Sequence, residues 1–151
     1  RVMLQAADLR IHQRHLAVTV RISHAEAHKK TVVDIPELRK LIVDTAEVYV
    51  ADEIYGYVTD LAEASRHQEY IQLGVSPRGA LAVCRTAKAN AFLKGRDYVL
   101  PEDVEEVFLS VCAHRLVLSP KARLHEYTAD DLLTEILKDV KKPSVKEFRA
   151  R

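Results

Sequence analysis

The segment that decides the fold is Tyr70-Ile71-Gln72-Leu73-Gly74-Val75-Ser76-Pro77-Arg78-Gly79-Ala80. Serine is a favoured N-cap residue, and proline is well tolerated at the first helical position, where its missing N–H has no intrahelical partner to lose. The segment therefore predicts a helix that begins at Pro77. Gly95 is typical of the left-handed residue that follows a helix, so this helix is expected to end just before it.

Two helices are predicted upstream of this segment. Asp34 followed by Glu37 resembles a capping box and predicts a first helix over about 35–49. Asp52 opens a second helix, which is expected to end near Gln68. The residues expected to face the core from the first three helices are Leu38, Leu41, Ile42, Thr45, Val48, Ile54, Val58, Leu61, Ala62, Leu81, Cys84, Ala87, Lys88 and Ala91.

Two more helices are predicted downstream. A short extended link over 98–100 leads to Pro101, which opens a fourth helix with acidic residues in its first turn. A loop is predicted over 119–127, and Thr128 with Asp131 then opens a fifth helix. The fold class predicted is therefore all-α, a bundle of about five helices.

The ends of the chain differ from this helical pattern. Apolar and other residues alternate over 16–22, which is a strand period. Residues 1–33 are therefore interpreted as a linker or a remnant of another domain, in which this alternation favours β-structure. The predicted division is 1–33 for this segment, 34–143 for a helical domain and 144–151 for a tail.

Composition narrows the class of protein. The 151 residues are 48% hydrophobic and 30% charged with a net charge of +1, which excludes wholesale disorder. No apolar run is long enough to cross a membrane, so no membrane association is expected. Cys84 and Cys112 lie in apolar helical patterns, and we expect them to be buried, reduced thiols of a cytoplasmic protein.

Arg78 is the candidate functional residue. It falls in the first turn of the predicted third helix, where aspartate or glutamate is normally favoured because the backbone N–H groups carry partial positive charge. A guanidinium beside those groups concentrates positive potential, which suits a phosphate. The alternative is that Arg78 only pairs with a carboxylate such as Glu63 or Glu69.

Several segments in order resemble the lid of MoxR-type AAA+ ATPases. The first is Tyr70–Ala80, which is similar to the sensor-2 region of that family. The similarity continues through 87–89, 95–104 and 114–116 and into the last helix before Pro143. The resemblance covers residues 34–143 and implies an all-helical lid that packs on an α/β nucleotide-binding core.

The same resemblance implies a function. Arg78 would be the sensor-2 arginine that contacts the γ-phosphate of ATP, in its own or a neighbouring subunit, and Ser76, Pro77 and Gly79 would shape its turn. The parent protein would bind ATP and Mg²⁺, form a ring oligomer, and remodel or mature partner proteins, among them proteins with von Willebrand factor A-type domains.

Nucleotide hydrolysis by this chain alone is not expected. A phosphate-binding loop needs the pattern G-x-x-x-x-G-K-[ST], and none of Gly56, Gly74, Gly79 and Gly95 belongs to it. No predicted strand ends in paired acidic residues that could hold magnesium. The core of the parent protein would have to supply both.

Three other interpretations carry less weight. His12 with His15 and His24 with His28 have spacings that could bind zinc on helices. We predict no metal site, because the second pair lacks the H-E-x-x-H order of metalloproteases and the first lies in a segment without a clear helical pattern. A free-standing helical adaptor or nucleic-acid-binding module is the rival function, although basic residues around the third helix lack interleaved aromatics. His114 and Arg115 are expected to complement the carboxyl-end dipole of the fourth helix, while the family resemblance implies that Arg115 also contacts the core, with no catalytic role assigned to it.

Overall fold

The computed structural model describes residues 2–3, 21–22 and 33–144, in two compact units, 1–44 and 45–151. In the first unit, β1 (Val2–Met3) pairs antiparallel with β2 (Arg21–Ile22). The predicted strand over 16–22 is thus described only at its last two residues. The remainder of the predicted N-terminal segment, and most of the predicted tail, lie outside the described residues, so the domain limits stay predictions.

The first helix, α1 (Ile35–Ala46), begins where the sequence predicts, since Asp34 Oδ1 accepts a hydrogen bond from the Glu37 N–H at 2.8 Å. It ends earlier than predicted. The Tyr49 N–H donates to the Asp97 carbonyl at 2.8 Å, and the Val99 N–H donates to the Tyr49 carbonyl at 3.0 Å. These bonds require extended backbone at Tyr49, which a continuing helix could not provide.

The predicted core face of α1 is wrong. None of the residues of this helix is buried, and Ile42 is 57% exposed. Val48, which the periodicity assigned to the helix, is buried but lies beyond its end. Periodicity identifies a helix correctly here, but it cannot say whether a partner covers the apolar stripe.

The second unit contains five helices among its described residues. They are α2 (Asp52–His67), α3 (Pro77–Leu93), α4 (Pro101–Cys112), α5 (Pro120–Leu124) and α6 (Ala129–Asp139). α3 packs along α4, and α2 and α4 both pack on α6. Ile54, Leu61, Val83, Phe108 and Leu132 are fully buried between them. The predicted all-α fold is confirmed.

Local signals placed most helix ends correctly. α3 begins at Pro77, and Gly95 after it has a φ of 73°, in the left-handed region. The Thr128–Asp131 capping box opens α6 as predicted. The loop predicted over 119–127 is wrong in part, because it contains α5, which Ser119 caps through the Ala122 N–H.

One predicted inward residue of α3 is also wrong. Leu81 is 58% exposed, whereas Val83 is fully buried. The buried face of α3 consists of Gly79, Val83, Cys84, Ala87 and Ala91. Steps of three and four residues connect these positions, so the small residues face α4 and leave Leu81 outside.

A small sheet lies next to the start of α3. β3 (Ile71–Leu73) pairs antiparallel with β4 (Val117–Leu118), with Leu73 opposite Val117. The Ser119 N–H extends the pairing by donating to the Tyr70 carbonyl at 2.9 Å. A 3₁₀ turn, Ala113–Arg115, connects α4 to β4. The pairing therefore brings the end of α4 next to the segment that leads into α3.

Candidate functional site

The site is built on the first turn of α3. Ser76 has the extended backbone of an N-cap, and its Oγ accepts a hydrogen bond from the Gly79 N–H at 3.2 Å. Pro77 takes the first helical position, where its ring fixes φ without loss of a hydrogen bond. Arg78 follows and is exposed. Ser76 thus caps this turn, and the positive charge of Arg78 lies on its exposed surface.

Both backbone polar groups of Val75, its N–H and its carbonyl, are hydrogen-bonded to the end of α2. The Val75 N–H donates to Ser65 Oγ at 2.8 Å, and Ser65 Oγ donates in turn to the Ala62 carbonyl at 2.6 Å. Arg66 donates to the Val75 carbonyl from Nε at 3.2 Å and from Nη2 at 3.0 Å. Because Ser65 and the Val75 side chain are fully buried, α2 fixes the residue that precedes the N-cap.

Two glycines permit this close approach. A Cβ on Gly74 would lie 2.7 Å from the Ser65 carbonyl oxygen and 2.8 Å from the Arg66 nitrogen, both of them backbone atoms. A Cβ on Gly79 would lie 2.9 Å from Val75 Cγ1 and 3.7 Å from Arg115 Cδ. Glycine at position 74 therefore lets the end of α2 pack directly against the segment before α3, and glycine at position 79 leaves room for the Val75 side chain.

The side chain of Arg78 has no protein partner in the part of the chain that the structure describes. The carboxylates suggested for it are engaged elsewhere: Glu63 accepts from Arg66 at 2.9 Å, and Glu69 accepts from Lys121 at 2.7 Å. The alternative in which Arg78 only stabilises the fold through one of these carboxylates is therefore not supported by the geometry. Its guanidinium is available to an anion from outside the unit.

Most other basic residues near α3 have partners. Lys94 contacts Asp103 at 3.3 Å and Glu106 at 2.6 Å, and Arg96 donates to both oxygens of Asp103. Lys88 donates to the Ala46 carbonyl at 2.8 Å. The carboxylate contacts of Lys94 and Arg96 reduce the positive surface on which the nucleic-acid interpretation depends.

No group of three histidine, cysteine or carboxylate side chains that could hold a metal ion occurs among the residues the structure describes. The histidine pairs considered from the sequence, at 12 and 15 and at 24 and 28, lie outside those residues. Cys84 and Cys112 are buried and unpaired, and burial raises the pKa of both thiols, that of Cys112 to about 11. Neither thiol is activated for chemistry.

Comparison with known proteins agrees with this architecture. Residues 63–136 match the family model of the AAA lid domain. The chain is 31% identical over 125 residues to chaperone MoxR1 of Mycobacterium tuberculosis, and this alignment covers 77% of this chain and 33% of that protein. It is 42% identical over 85 residues to protein MoxR of Paracoccus denitrificans, and this alignment covers 56% of this chain and 24% of that protein.

The chain contains a MoxR-type AAA+ lid domain. A solved structure extends the likeness to the backbone: a Cytophaga hutchinsonii protein, provisionally named an ATPase, superposes with a TM-score of 0.64 at 31% identity over 68% of this chain and 34% of the other. An uncharacterised Bacillus subtilis protein, YeaC, is 35% identical over 100 residues, which are 66% of this chain and 31% of that protein. The chain thus spans between about a quarter and a third of the length of these relatives.

Arg115 of the lid lies closer to the candidate site than its position in the sequence indicates. As expected for a cation at a helix end, its Nε donates to the Val111 carbonyl at 2.9 Å. Its stem, however, lies beside Gly79 in the first turn of α3, a contact between residues 36 positions apart that periodicity could not indicate.

The lid contains no helix, among its described residues, that is long and apolar enough to cross a membrane.

Proposed function

We propose that Arg78 of this lid is a sensor-2 arginine that contacts the γ-phosphate of ATP bound by the core of a MoxR-type ATPase. The observation that supports the proposal is the exposed guanidinium on the first turn of a capped 17-residue helix, which no described side chain pairs with. Ser76, Pro77 and Gly79 fix the backbone of that turn, so the side chain starts from a defined position. Positive helix-end potential adds to its charge.

Such an arginine acts by electrostatics. A guanidinium held against the terminal phosphate stabilises the charge that shifts onto the oxygens during phosphoryl transfer. It also distinguishes triphosphate from diphosphate, because its partner leaves on hydrolysis. The Ser65–Val75 and Arg66–Val75 hydrogen bonds tie this turn to α2. Nucleotide-dependent movement of Arg78 would therefore move the lid as a body.

The nucleotide and Mg²⁺ would be held by the core. The chain has no G-x-x-x-x-G-K-[ST] loop, so this lid contributes Arg78 to a site whose phosphate-binding backbone and metal ligands lie elsewhere. When bound, Mg²⁺ neutralises charge on the phosphates. The lid alone is expected to bind ATP weakly and to be inactive.

We further propose that ATP turnover drives chaperone-like remodelling of partner proteins by a cytoplasmic ring. The M. tuberculosis relative is named a chaperone, which supports this class of function. Neighbouring subunits and the core of the same protein are the partners expected for the lid. Clients with von Willebrand factor A-type domains are proposed from the family resemblance alone.

The direct test is the Arg78→Ala substitution in the full-length ATPase that carries this lid. We expect the hydrolysis rate at saturating ATP to fall by about tenfold or more, equivalent to at least about 1.4 kcal/mol of barrier. Arg78→Lys keeps the charge but not the planar donors, so it should recover part of the rate. Arg123→Ala is the matched control, because Arg123 is an exposed arginine on α5 whose side chain makes no hydrogen bond to another described residue.

Circular dichroism should show the same helical content and thermal midpoint for all three variants, since Arg78 supports no contact within the lid. A hydrolysis rate for Arg78→Ala within a few-fold of wild type would refute the sensor-2 assignment. Equal losses in the Arg78 and Arg123 variants would also refute it, because they would reflect general loss of surface charge rather than a phosphate contact.

A further inference from the structure

Arg115 is brought to the start of α3 by the small sheet. In the antiparallel pairing of β3 with β4, Leu73 lies opposite Val117. Arg115 is the last residue of the 3₁₀ turn that leads into β4, and its side chain reaches Gly79 in the turn that carries Arg78. Arginines that are far apart in the sequence are thereby placed at one end of α3.

The Arg115 side chain is anchored through its stem and Nε, whereas its terminal nitrogens are left for a further partner. Its Cδ lies 3.7 Å from the point where a Cβ of Gly79 would be, so its stem packs on the first turn of α3. The Nε–H donates to the Val111 carbonyl at 2.9 Å, which fixes the plane of the guanidinium. Its two terminal nitrogens have no partner among the described residues, and the side chain is exposed.

Arg78 and Arg115 therefore form a pair of like charges around one helix start. Neither is in an ion pair with a carboxylate of the described lid, although Glu63 and Glu69 are used by other cations in the same region. Two guanidinium groups repel each other unless an anion lies between them. A polyphosphate carries several anionic oxygens, to which planar guanidinium groups donate paired hydrogen bonds.

We propose that Arg115 is a second phosphate-binding residue, which contacts the nucleotide beside Arg78. The inference rests on the proposed function, because the anion that both arginines contact is the nucleotide held by the core. Arg115 differs from Arg78 in being anchored by Val111. Arg78 is the arginine proposed to act on the γ-phosphate, so we expect Arg115 to contact the nucleotide equally in the ground state and the transition state. Its contribution should then be to affinity rather than to the chemical step.

The test uses the full-length ATPase with Arg115→Gln, Arg115→Lys and the control Arg123→Gln. Steady-state hydrolysis gives kcat and KM for ATP, and a fluorescent mant-ATP titration gives the dissociation constant. We expect Arg115→Gln to raise KM and the dissociation constant about tenfold, with kcat within about threefold of wild type. Arg115→Lys should recover most of the affinity, although it cannot make the Nε hydrogen bond to Val111.

Rescue by lysine separates a phosphate contact from a structural role, since only the charge is retained. Arg115→Met keeps an apolar stem against Gly79 without charge, and it replaces the glutamine variant if that variant has a lower thermal midpoint. Wild-type affinity in both uncharged variants, or no rescue by lysine, would overturn the role of Arg115 even where Arg78→Ala is inactive. A fully active Arg78→Ala enzyme would instead overturn the sensor-2 proposal itself.

Discussion

Removal of the Asp103 carboxylate is expected to be among the most damaging single changes to the lid. Asp103 is fully buried, yet it accepts hydrogen bonds from both terminal nitrogens of Arg96 and from the Leu100 N–H at 2.9 Å. Lys94 adds a contact at 3.3 Å. The carboxylate thereby joins the loop after α3 to the first turn of α4.

The magnitude follows from what Asp103→Ala would leave behind. Removing one member of a buried ion pair costs about 3–5 kcal/mol, because the other charge stays without compensation. Arg96 is 20% exposed and also donates to the Tyr98 carbonyl at 3.0 Å, which favours the lower end of that range. Loss of the N-terminal cap at Leu100 adds about 1 kcal/mol. We therefore expect a loss of about 4 kcal/mol in the free energy of unfolding.

Urea unfolding of the 151-residue chain, followed by far-UV circular dichroism, measures this loss. With a slope of about 1–3 kcal/mol per molar urea, the midpoint should fall by more than about 1 M. Glu106→Ala is the matched control, since Glu106 contacts Lys94 and Asn90 but its side chain is 54% exposed. Its midpoint should change much less. Equal shifts for the two variants would refute the assignment of Asp103 as a buried anchor.

Two further predictions concern pH and glycine. Burial would raise the pKa of Asp103, but hydrogen bonds from Arg96 and Leu100 outweigh it and hold the pKa below its ordinary value of 3.8. The stability that this carboxylate supplies is therefore complete above about pH 4 and is lost as the pH falls through the lowered pKa. The difference in urea midpoint between wild type and Asp103→Asn should accordingly shrink at low pH. A difference that stays constant with pH would contradict this. Gly74→Ala should cost about 1–3 kcal/mol because its Cβ would meet the Ser65 backbone at 2.7 Å. Gly56→Ala, where nothing lies within 4 Å, should gain about 0.5–1 kcal/mol by thermal unfolding, and similar effects at both glycines would disprove the close approach at Gly74.

The candidate site was predictable from sequence only as far as its backbone is local. The Ser76 cap and Pro77 indicated where α3 begins, and both act within one turn of themselves. That Arg78 lacks a carboxylate partner was not predictable, because pairing with Glu63 or Glu69 is equally compatible with the sequence. Only the engagement of those carboxylates by Arg66 and Lys121 decides between the two possibilities.

Periodicity had a similar limit. It identified the helices α1 and α3, but it assigned Leu81 to the core, and Ile42 as well, although both are more than half exposed. Hydrophobic spacing records which residues share a helix face. Whether that face is covered depends on neighbouring elements, which the spacing does not specify.

The sequence by itself determined the helical class, most helix ends and the identity of the arginine at the mouth of α3, because caps, prolines and left-handed glycines act on their nearest neighbours. Tertiary structure alone decided that Ser65 accepts a hydrogen bond from the Val75 N–H and that Arg66 donates to the Val75 carbonyl. It alone placed Arg115 on Gly79 and buried Asp103 against Arg96. Each of these contacts joins different structural elements, and its existence depends on how the helices pack rather than on any local preference of the chain.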